Sequence, residues 1–366
     1  MSATAKKRLA IAVVGLGIGR HHLKGYQELP GQYEIKAVCD LKQDELERAK
    51  TDFGVAHVFT DYAELLRAPG LDIVDICTPP NTHRALIEQA LAAGLHVICE
   101  KPLTGSLADL DAIERAAKKA RGTVSPIFQY RFGNGLQKLK ALQDKGLCGK
   151  PYLSTIETSW RRDADYYATV WRGKWATELG GCCLSQAIHA HDMLSYVNGP
   201  VKNVYARLAT RVNPIEVEDC AAVAIEMANG SLATLAVTLG AAEELSRLRF
   251  MFEHLTVESR SVHPYRIGDD PWHFKGKTPE IEAAIATVFD EFKPSEESFT
   301  GQFARIHIAL TNGTALPVTL QDARASLELI TAIYHSAETG TAVDLPIAAG
   351  HPKYADWIPK SRRWGA

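Results

Sequence analysis

The chain has no surplus of charge of either sign. Its 366 residues carry 41 Lys and Arg against 43 Asp and Glu, a formal net charge of −2. Without a basic excess nothing offsets the phosphates of a nucleic-acid backbone, so nucleic acid is not an expected partner. There is no run of about eighteen apolar residues, which excludes a membrane-spanning helix on length and leaves no membrane partner. The seven cysteines (Cys39, Cys77, Cys99, Cys148, Cys182, Cys183 and Cys220) are odd in number and scattered, with no CxxC pair and no zinc-like His spacing. Neither a disulfide scaffold nor a metal centre is expected, and free thiols fit a reducing cytoplasm. Repeats and low-complexity tracts are also missing. What remains is an ordinary globular composition, 46% hydrophobic and 23% charged, on a chain long enough for two cores.

The amino terminus, MSATAKKRLAIAVVGLG, places basic residues before an apolar run, but the run leads straight into glycines without a small-residue cleavage site. It reads as a first strand. Short apolar runs at 8–14, 33–39, 73–77, 96–99 and 126–130 alternate with amphipathic stretches at 20–29, 42–52, 82–93 and 107–119, the rhythm of βα units. Right-handed crossovers turn that rhythm into a doubly wound parallel sheet, a Rossmann-type domain over residues 1–130. Beyond it, β-branched and alternating runs at 152–157, 201–209, 221–227 and 232–238 predict a large, mostly antiparallel sheet, with Asn229-Gly230 as a hairpin turn. Helical patterns at 133–142, 184–196 and 321–337 place helices on one face of that sheet, an α+β domain over 131–366. Residues 241–300 show no clean periodicity.

Val14 and Arg20 bracket Gly15-Leu16-Gly17-Ile18-Gly19 at a strand-to-helix junction, where backbone N–H groups and a helix N-terminus approach a pyrophosphate. The spacing departs from G-x-G-x-x-G, since Arg20 holds the third glycine position and Gly19 falls one residue early. Asp40 closes the second strand where an acid accepts the adenosine ribose hydroxyls. Such a carboxylate repels a 2′-phosphate and favours NAD over NADP, with NADP as the alternative; a helix N-cap is the structural role open to the same side chain.

Two further segments, Thr78-Pro79-Pro80-Asn81-Thr82-His83 and Glu100-Lys101-Pro102, follow apolar strands at the edge where open α/β sheets bind ligands. Lys101 is held extended by Pro102, and a lysine there stabilises a developing oxyanion or relays a proton. After Gly180-Gly181 the spacing predicts one helix in which Ser185, His189 and Asp192 share a stripe while His191 points elsewhere. A histidine near neutral pH suits acid–base work between an alcohol and a ketone.

Together these residues resemble the Gfo/Idh/MocA oxidoreductases. The resemblance rests on GLGIGRHH, CTPPNTH, EKPL, Tyr130-Arg131-Phe132, WRGKWATELGG at 171–181, AIHAHDML, LPVTLQDAR and TGTAVDLP. It implies an NAD(P)-dependent dehydrogenase or reductase that moves a hydride between nicotinamide and a hydroxyl-bearing carbon of a sugar, sugar derivative or cyclitol. Lys101 and His189 are then catalytic, and Ser185, Arg131, Trp171, Arg172 and Asp192 face the substrate. Gly15, Gly17, Ile18, Gly19, Asp40, Thr78, Pro79, Asn81, His83, Glu100 and Lys101 line the cofactor. The resemblance also implies a homodimer or homotetramer formed through the open sheet face. Ser185 stands where the family commonly has aspartate and Ala187 where it has glycine. A neutral serine cannot stabilise an imidazolium by charge, so either the substrate differs from the cyclitols or another carboxylate supplies that charge. Two rival readings keep the fold: an NAD-dependent glycosidase working through transient oxidation, and a non-catalytic nucleotide-sensing regulator.

Overall fold

The structure, a computed structural model, describes residues 8–359; the basic residues Lys6 and Lys7 of the amino-terminal reading lie outside them. The chain separates into two compact units. The first holds the chain up to Thr104 together with Asp109–Phe128 and Phe299–Ala323; the second holds Gly105–Ala108, Gln129–Ser298 and the chain from Arg324 onward.

In the first unit, six parallel strands form one sheet: β1 (Leu9–Val14), β2 (Tyr33–Cys39), β3 (His57–Phe59), β4 (Ile73–Ile76), β5 (His96–Cys99) and β6 (Val124–Pro126), in the order β3-β2-β1-β4-β5-β6. The order reverses at β1, and the helices α1 (Gly19–Gln27), α2 (Gln43–Phe53), α3 (Tyr62–Leu66), α4 (His83–Ala92) and α5 (Leu107–Ala117) connect the strands. β1 is buried at every position because a doubly covered parallel strand has no solvent face. The run expected at 126–130 is a strand only over Val124–Pro126, and Gln129–Phe132 forms a 3₁₀ turn instead.

The second unit is built on an eight-stranded sheet in the order β13-β12-β11-β7-β10-β9-β8-β14, comprising β7 (Pro151–Arg161), β8 (Val201–Ala209), β9 (Cys220–Met227), β10 (Leu232–Thr238), β11 (Gly240–Phe252), β12 (Leu255–Ser259), β13 (Trp272–Gly276) and β14 (Val343–Asp344). Only β7 and β10 pair in parallel. Its strands alternate buried and exposed residues, the signature of one covered and one open face. The remaining α-helices among the described residues are α6 (Asn134–Asp144), α7 (Ala164–Tyr167), α8 (Cys182–Ser185), α9 (Ile188–Asn198), α10 (Pro279–Glu291), α11 (Ser298–Asn312) and α12 (Leu320–Thr339).

The expected single cut near residue 130 is corrected by α11. Its Phe303 ring stacks on Tyr26 at 4.1 Å and its backbone carbonyl accepts the Tyr33 hydroxyl at 2.7 Å. Gln302 serves the end of β6, donating to the Pro126 carbonyl at 2.7 Å and accepting the Phe128 N–H at 3.1 Å. An aromatic face and a buried amide thus return 299–323 to the first unit. No helix among the described residues is long and apolar enough to cross a membrane.

Candidate active site

The turn from β1 into α1 is fixed by two glycines. Gly15 has φ +88°, and a Cβ there would meet the Cys77 carbonyl at 2.8 Å; at Gly19 it would meet Val13 Cγ1 at 2.9 Å. Gly19 therefore supplies the close helix–strand approach, which explains why Arg20 can stand at the usual third position. Arg20 itself turns away to pair with Glu45 and Asp52. A Cβ on Gly17 would meet nothing within 4 Å, and the N-cap residue of α1, Ile18, provides no side-chain cap. Open space before uncapped helix N–H groups suits a pyrophosphate.

Asp40 binds this turn. Its Oδ2 accepts the Leu16 N–H at 2.7 Å and its Oδ1 the Lys42 N–H at 2.9 Å. It is not the cap of α2, because the N-cap position is Lys42. Each carboxylate oxygen keeps a lone pair for a ribose hydroxyl.

At the carboxyl ends of β4 and β5 the expected residues are joined by short hydrogen bonds. Thr78 Oγ1 and Thr82 Oγ1 are 2.6 Å apart, and Thr82 Oγ1 donates to the Pro79 carbonyl at 2.8 Å. Asn81 is exposed beside them. His83 is fully buried, with Nε2 2.8 Å from the Thr78 carbonyl and Nδ1 3.0 Å from the Pro102 carbonyl. Burial lowers its pKa against the pull of those carbonyls. Glu100 is also buried: Oε2 accepts the Lys101 N–H at 2.9 Å and Oε1 lies 3.1 Å from His22 Nε2. His22 Nδ1 in turn lies 2.7 Å from Asp75 Oδ2, which also accepts the Tyr26 hydroxyl at 2.7 Å. Burial opposes charge on His22, but the Asp75 carboxylate and Cys77 hold its pKa well above the ordinary histidine value. Both Glu100 oxygens are thus engaged from within the protein. His22 and Asp75 escaped the sequence reading, although a carboxylate inside the apolar strand IVDI was a legible signal, since a buried charge requires a partner.

In the second unit the expected continuous helix is interrupted. α8 ends at Ser185 and α9 begins at Ile188, with the Ala187 N–H reaching back five residues to the Cys182 carbonyl at 2.8 Å. That wide turn changes the angular phase, so Ser185 does not share a straight helical stripe with His189 and Asp192. The His189 ring stacks on Tyr130 at 4.2 Å with planes 22° apart. Asp192 and Arg131 form a buried bidentate pair, at 2.7 Å and 2.5 Å, and the guanidinium lies 4.7 Å from the Tyr196 ring centre. These two expected substrate ligands are committed to each other. His191 is buried, and burial pushes its pKa down to about 3.

Trp171 and Arg172 belong to an alternating ladder that the sequence did not announce. The Arg172 guanidinium lies 4.2 Å from the Trp171 ring centre and 4.1 Å from that of Tyr166; Arg162 lies 4.9 Å from Tyr166 and 5.1 Å from Trp160. Glu178 and Glu244 balance the two cations. Arg172 and Gln186 both donate to the Tyr166 hydroxyl, the latter at 2.9 Å, which ties this loop to the α8–α9 junction. Glu218, pushed up to about 7 by burial, accepts the Gly181 and Cys183 N–H groups and the Tyr334 hydroxyl. It shapes the double-glycine turn ahead of α8.

A sheet that reverses order at its glycine turn, with an acid at the end of the next strand, is the arrangement of a dinucleotide-binding fold. A family model described as "Oxidoreductase family, NAD-binding Rossmann fold" matches residues 9–128, and the GFO/IDH/MocA C-terminal domain model matches 136–258. The chain belongs to the Gfo/Idh/MocA family of NAD-binding oxidoreductases. It is 30% identical to the uncharacterized oxidoreductase YrbE of Bacillus subtilis, over 63% of this chain and 67% of that protein. It is 28% identical to the D-apiose dehydrogenase of Paraburkholderia graminis, over 94% and 92%. Among solved structures, the Bordetella pertussis WlbA dehydrogenase in complex with NADH and UDP-GlcNAcA superposes with a TM-score of 0.81 at 26% identity, covering 93% of this chain and all of that one, 100%.

Proposed function

We propose that this protein is an NAD-dependent dehydrogenase or reductase acting on a secondary hydroxyl of a sugar, sugar derivative or cyclitol. The observation that carries the reading is the β5 edge: the Lys101 backbone is fixed by Glu100 and by the Pro102 carbonyl facing His83, at the end of the sheet that holds the glycine turn. Bound NAD supplies the hydride acceptor or donor. Gly15, Gly17, Ile18 and Gly19 receive its pyrophosphate, Asp40 its adenosine ribose, and Thr78, Pro79 and Asn81 line its path. Lys101 donates a hydrogen bond to the reacting oxygen and stabilises its charge. His189, oriented by the Tyr130 ring, is the second acid–base group. Arg131 and Asp192 act on the substrate only indirectly, by fixing α9, whereas Ser185 and the Trp171–Arg172 ladder face its hydroxyls.

The open sheet face exposes Tyr152, Leu153, Tyr205 and Leu232, and we assign it to a homodimer or homotetramer in a reducing cytoplasm. The deciding assay incubates the protein with D-glucose, D-apiose, levoglucosan, myo-inositol and D-glucuronate, each with NAD⁺ or NADP⁺, while following reduced nicotinamide by absorbance. Turnover that forms NADH supports the reading. Glycoside cleavage without net NADH would instead indicate transient oxidation, and binding of NAD without any turnover would indicate a regulator.

A further inference from the structure

Lys101 is held from both sides of its own backbone by two buried histidines. Ahead of it, Glu100 receives the Lys101 N–H on one oxygen and His22 on the other, at 2.9 Å and 3.1 Å. Behind it, the Pro102 carbonyl faces His83 Nδ1 at 3.0 Å. Both rings are completely buried, so neither can touch a ligand. Their reach continues into the parts that hold the dinucleotide. His22 and Tyr26 both stand on α1, the helix opened by the glycine turn, and meet on Asp75 Oδ2 at 2.7 Å each. His83 opens α4, and its Nε2 faces the Thr78 carbonyl at 2.8 Å.

We propose that His22 and His83 are positioning residues for Lys101, coupling α1 and the Thr78 turn to the placement of its ammonium. The inference rests on the dehydrogenase reading for Lys101 as the group at the reacting oxygen. A lysine reaches its target through a flexible four-carbon stem, so the direction in which its Cα–Cβ bond leaves the backbone decides where the ammonium dwells. A carboxylate on the preceding residue that holds the lysine's own N–H fixes that direction only while the carboxylate is itself held. His22, charged by Asp75, supplies that hold. His83 does the same for the following residue: the neutral ring donates its one N–H to one of two carbonyls from different turns and packs its other nitrogen beside the second, so the turns after β4 and β5 share one buried ring.

The test uses full-length His22→Asn, His83→Leu and His83→Gln, with Glu100→Gln as a variant that keeps both histidines. Folding is checked by thermal melting and NADH affinity by fluorescence. The proposal expects kcat, measured with whichever panel sugar turns over best, to fall at least tenfold in His22→Asn and His83→Leu. The NADH dissociation constant should stay within threefold, and His83→Gln, which restores one donor, should recover part of the rate. A second readout needs no substrate: ¹³C-dimethylated Lys101, assigned with a Lys101→Arg control, should show a displaced and broadened resonance in His22→Asn, His83→Leu and Glu100→Gln. An unchanged Lys101 resonance, or a kcat loss matched by an equal loss of NADH affinity, overturns the proposal. If Lys101→Arg retains full turnover, the catalytic reading of Lys101 fails instead, and the resonance still decides whether the histidines position it.

Discussion

Asp40 Oδ2 accepts the Leu16 N–H at 2.7 Å, so the acid at the end of β2 grips the glycine turn directly. That grip gives Asp40 a structural role beside the one proposed for it toward the ribose. Asp40→Ser removes the loop anchor and, on the proposed function, the ribose acceptor with it, whereas Asp40→Asn keeps one oxygen acceptor and loses the charge. Titration calorimetry should show Asp40→Ser weakening NAD⁺ by at least tenfold, about 1.4 kcal/mol, with a much smaller loss or a gain for NADP⁺. Equal losses for both dinucleotides would reduce Asp40 to a loop anchor.

Lys101→Ala should separate binding from chemistry. Its backbone N–H, which Glu100 accepts at 2.9 Å, survives the change. NADH affinity should remain within about tenfold, while turnover falls by at least about a hundredfold, the usual scale for a lost acid–base group. Stopped-flow absorbance checks both, and an unchanged rate would move the chemistry to another residue.

Phe303 carries the return of α11 to the first unit. It is fully buried and stacks on Tyr26 at 4.1 Å. Phe303→Ala should cost about 3–5 kcal/mol in urea unfolding, the range for a large aromatic removed from a closed core. A cost near zero would mean that 299–323 does not contribute to that core.

Much of this architecture was legible because its periodicities are strong. β2, β5, β8 and β10 have the expected bounds, since each is a buried or cleanly alternating run between turn signals. β3 and α3 escaped because three half-exposed residues and a five-residue helix leave no periodic trace. β11 was hidden by its charges: in GAAEELSRLRFMF Arg247 and Arg249 lie on the exposed side, while the adjacent Glu243 and Glu244 interrupt the alternation. At the site, Gly15, Asp40 and Lys101 were visible as residue types in a recognisable context. The Arg131–Asp192 pair and the His22–Glu100 link were not, because each joins residues far apart in sequence, and the Tyr166 ladder was not, because its members within 160–172 follow no regular spacing. The break at Gln186 was missed for a different reason, since Leu184–Tyr196 has helical apolar spacing throughout and only the wide turn at Ala187 interrupts it.

His191 makes the second unit acid-sensitive. Its folded pKa of about 3 lies below the ordinary value of 6.5, so between those values the unfolded chain binds one more proton than the folded one. The contribution to stability is complete above the unfolded value and shrinks as pH falls, by at most about 1.4 kcal/mol per pH unit. His191→Leu removes that proton uptake. Urea unfolding between pH 6 and pH 4.5 should therefore show a shallower loss of stability in the variant than in the parent, and identical slopes would show that His191 is not held neutral.

Ser185 gives the sharpest test, because the break after α8 separates it from the straight stripe that spacing alone suggested. The buried carboxylates around this segment are already engaged: Asp192 by Arg131, Glu178 by Arg172 and the Gly173 N–H, Glu218 by the Gly181 and Cys183 N–H groups and Tyr334. A carboxylate introduced by Ser185→Asp would be the added charge in this segment. If Ser185 faces the reacting centre, the variant raises the pKa of His189 by favouring its imidazolium, and the histidine-dependent limb of the kcat–pH profile moves upward. The same charge should raise KM for D-glucuronate while leaving KM for D-glucose nearly unchanged, since only the sugar acid meets like charge. Because Ser185 is half-buried at the end of a four-residue helix, thermal melting must first show that the variant folds. A folded Ser185→Asp protein with an unmoved pH profile and unmoved KM for both sugars would place Ser185 away from the chemistry.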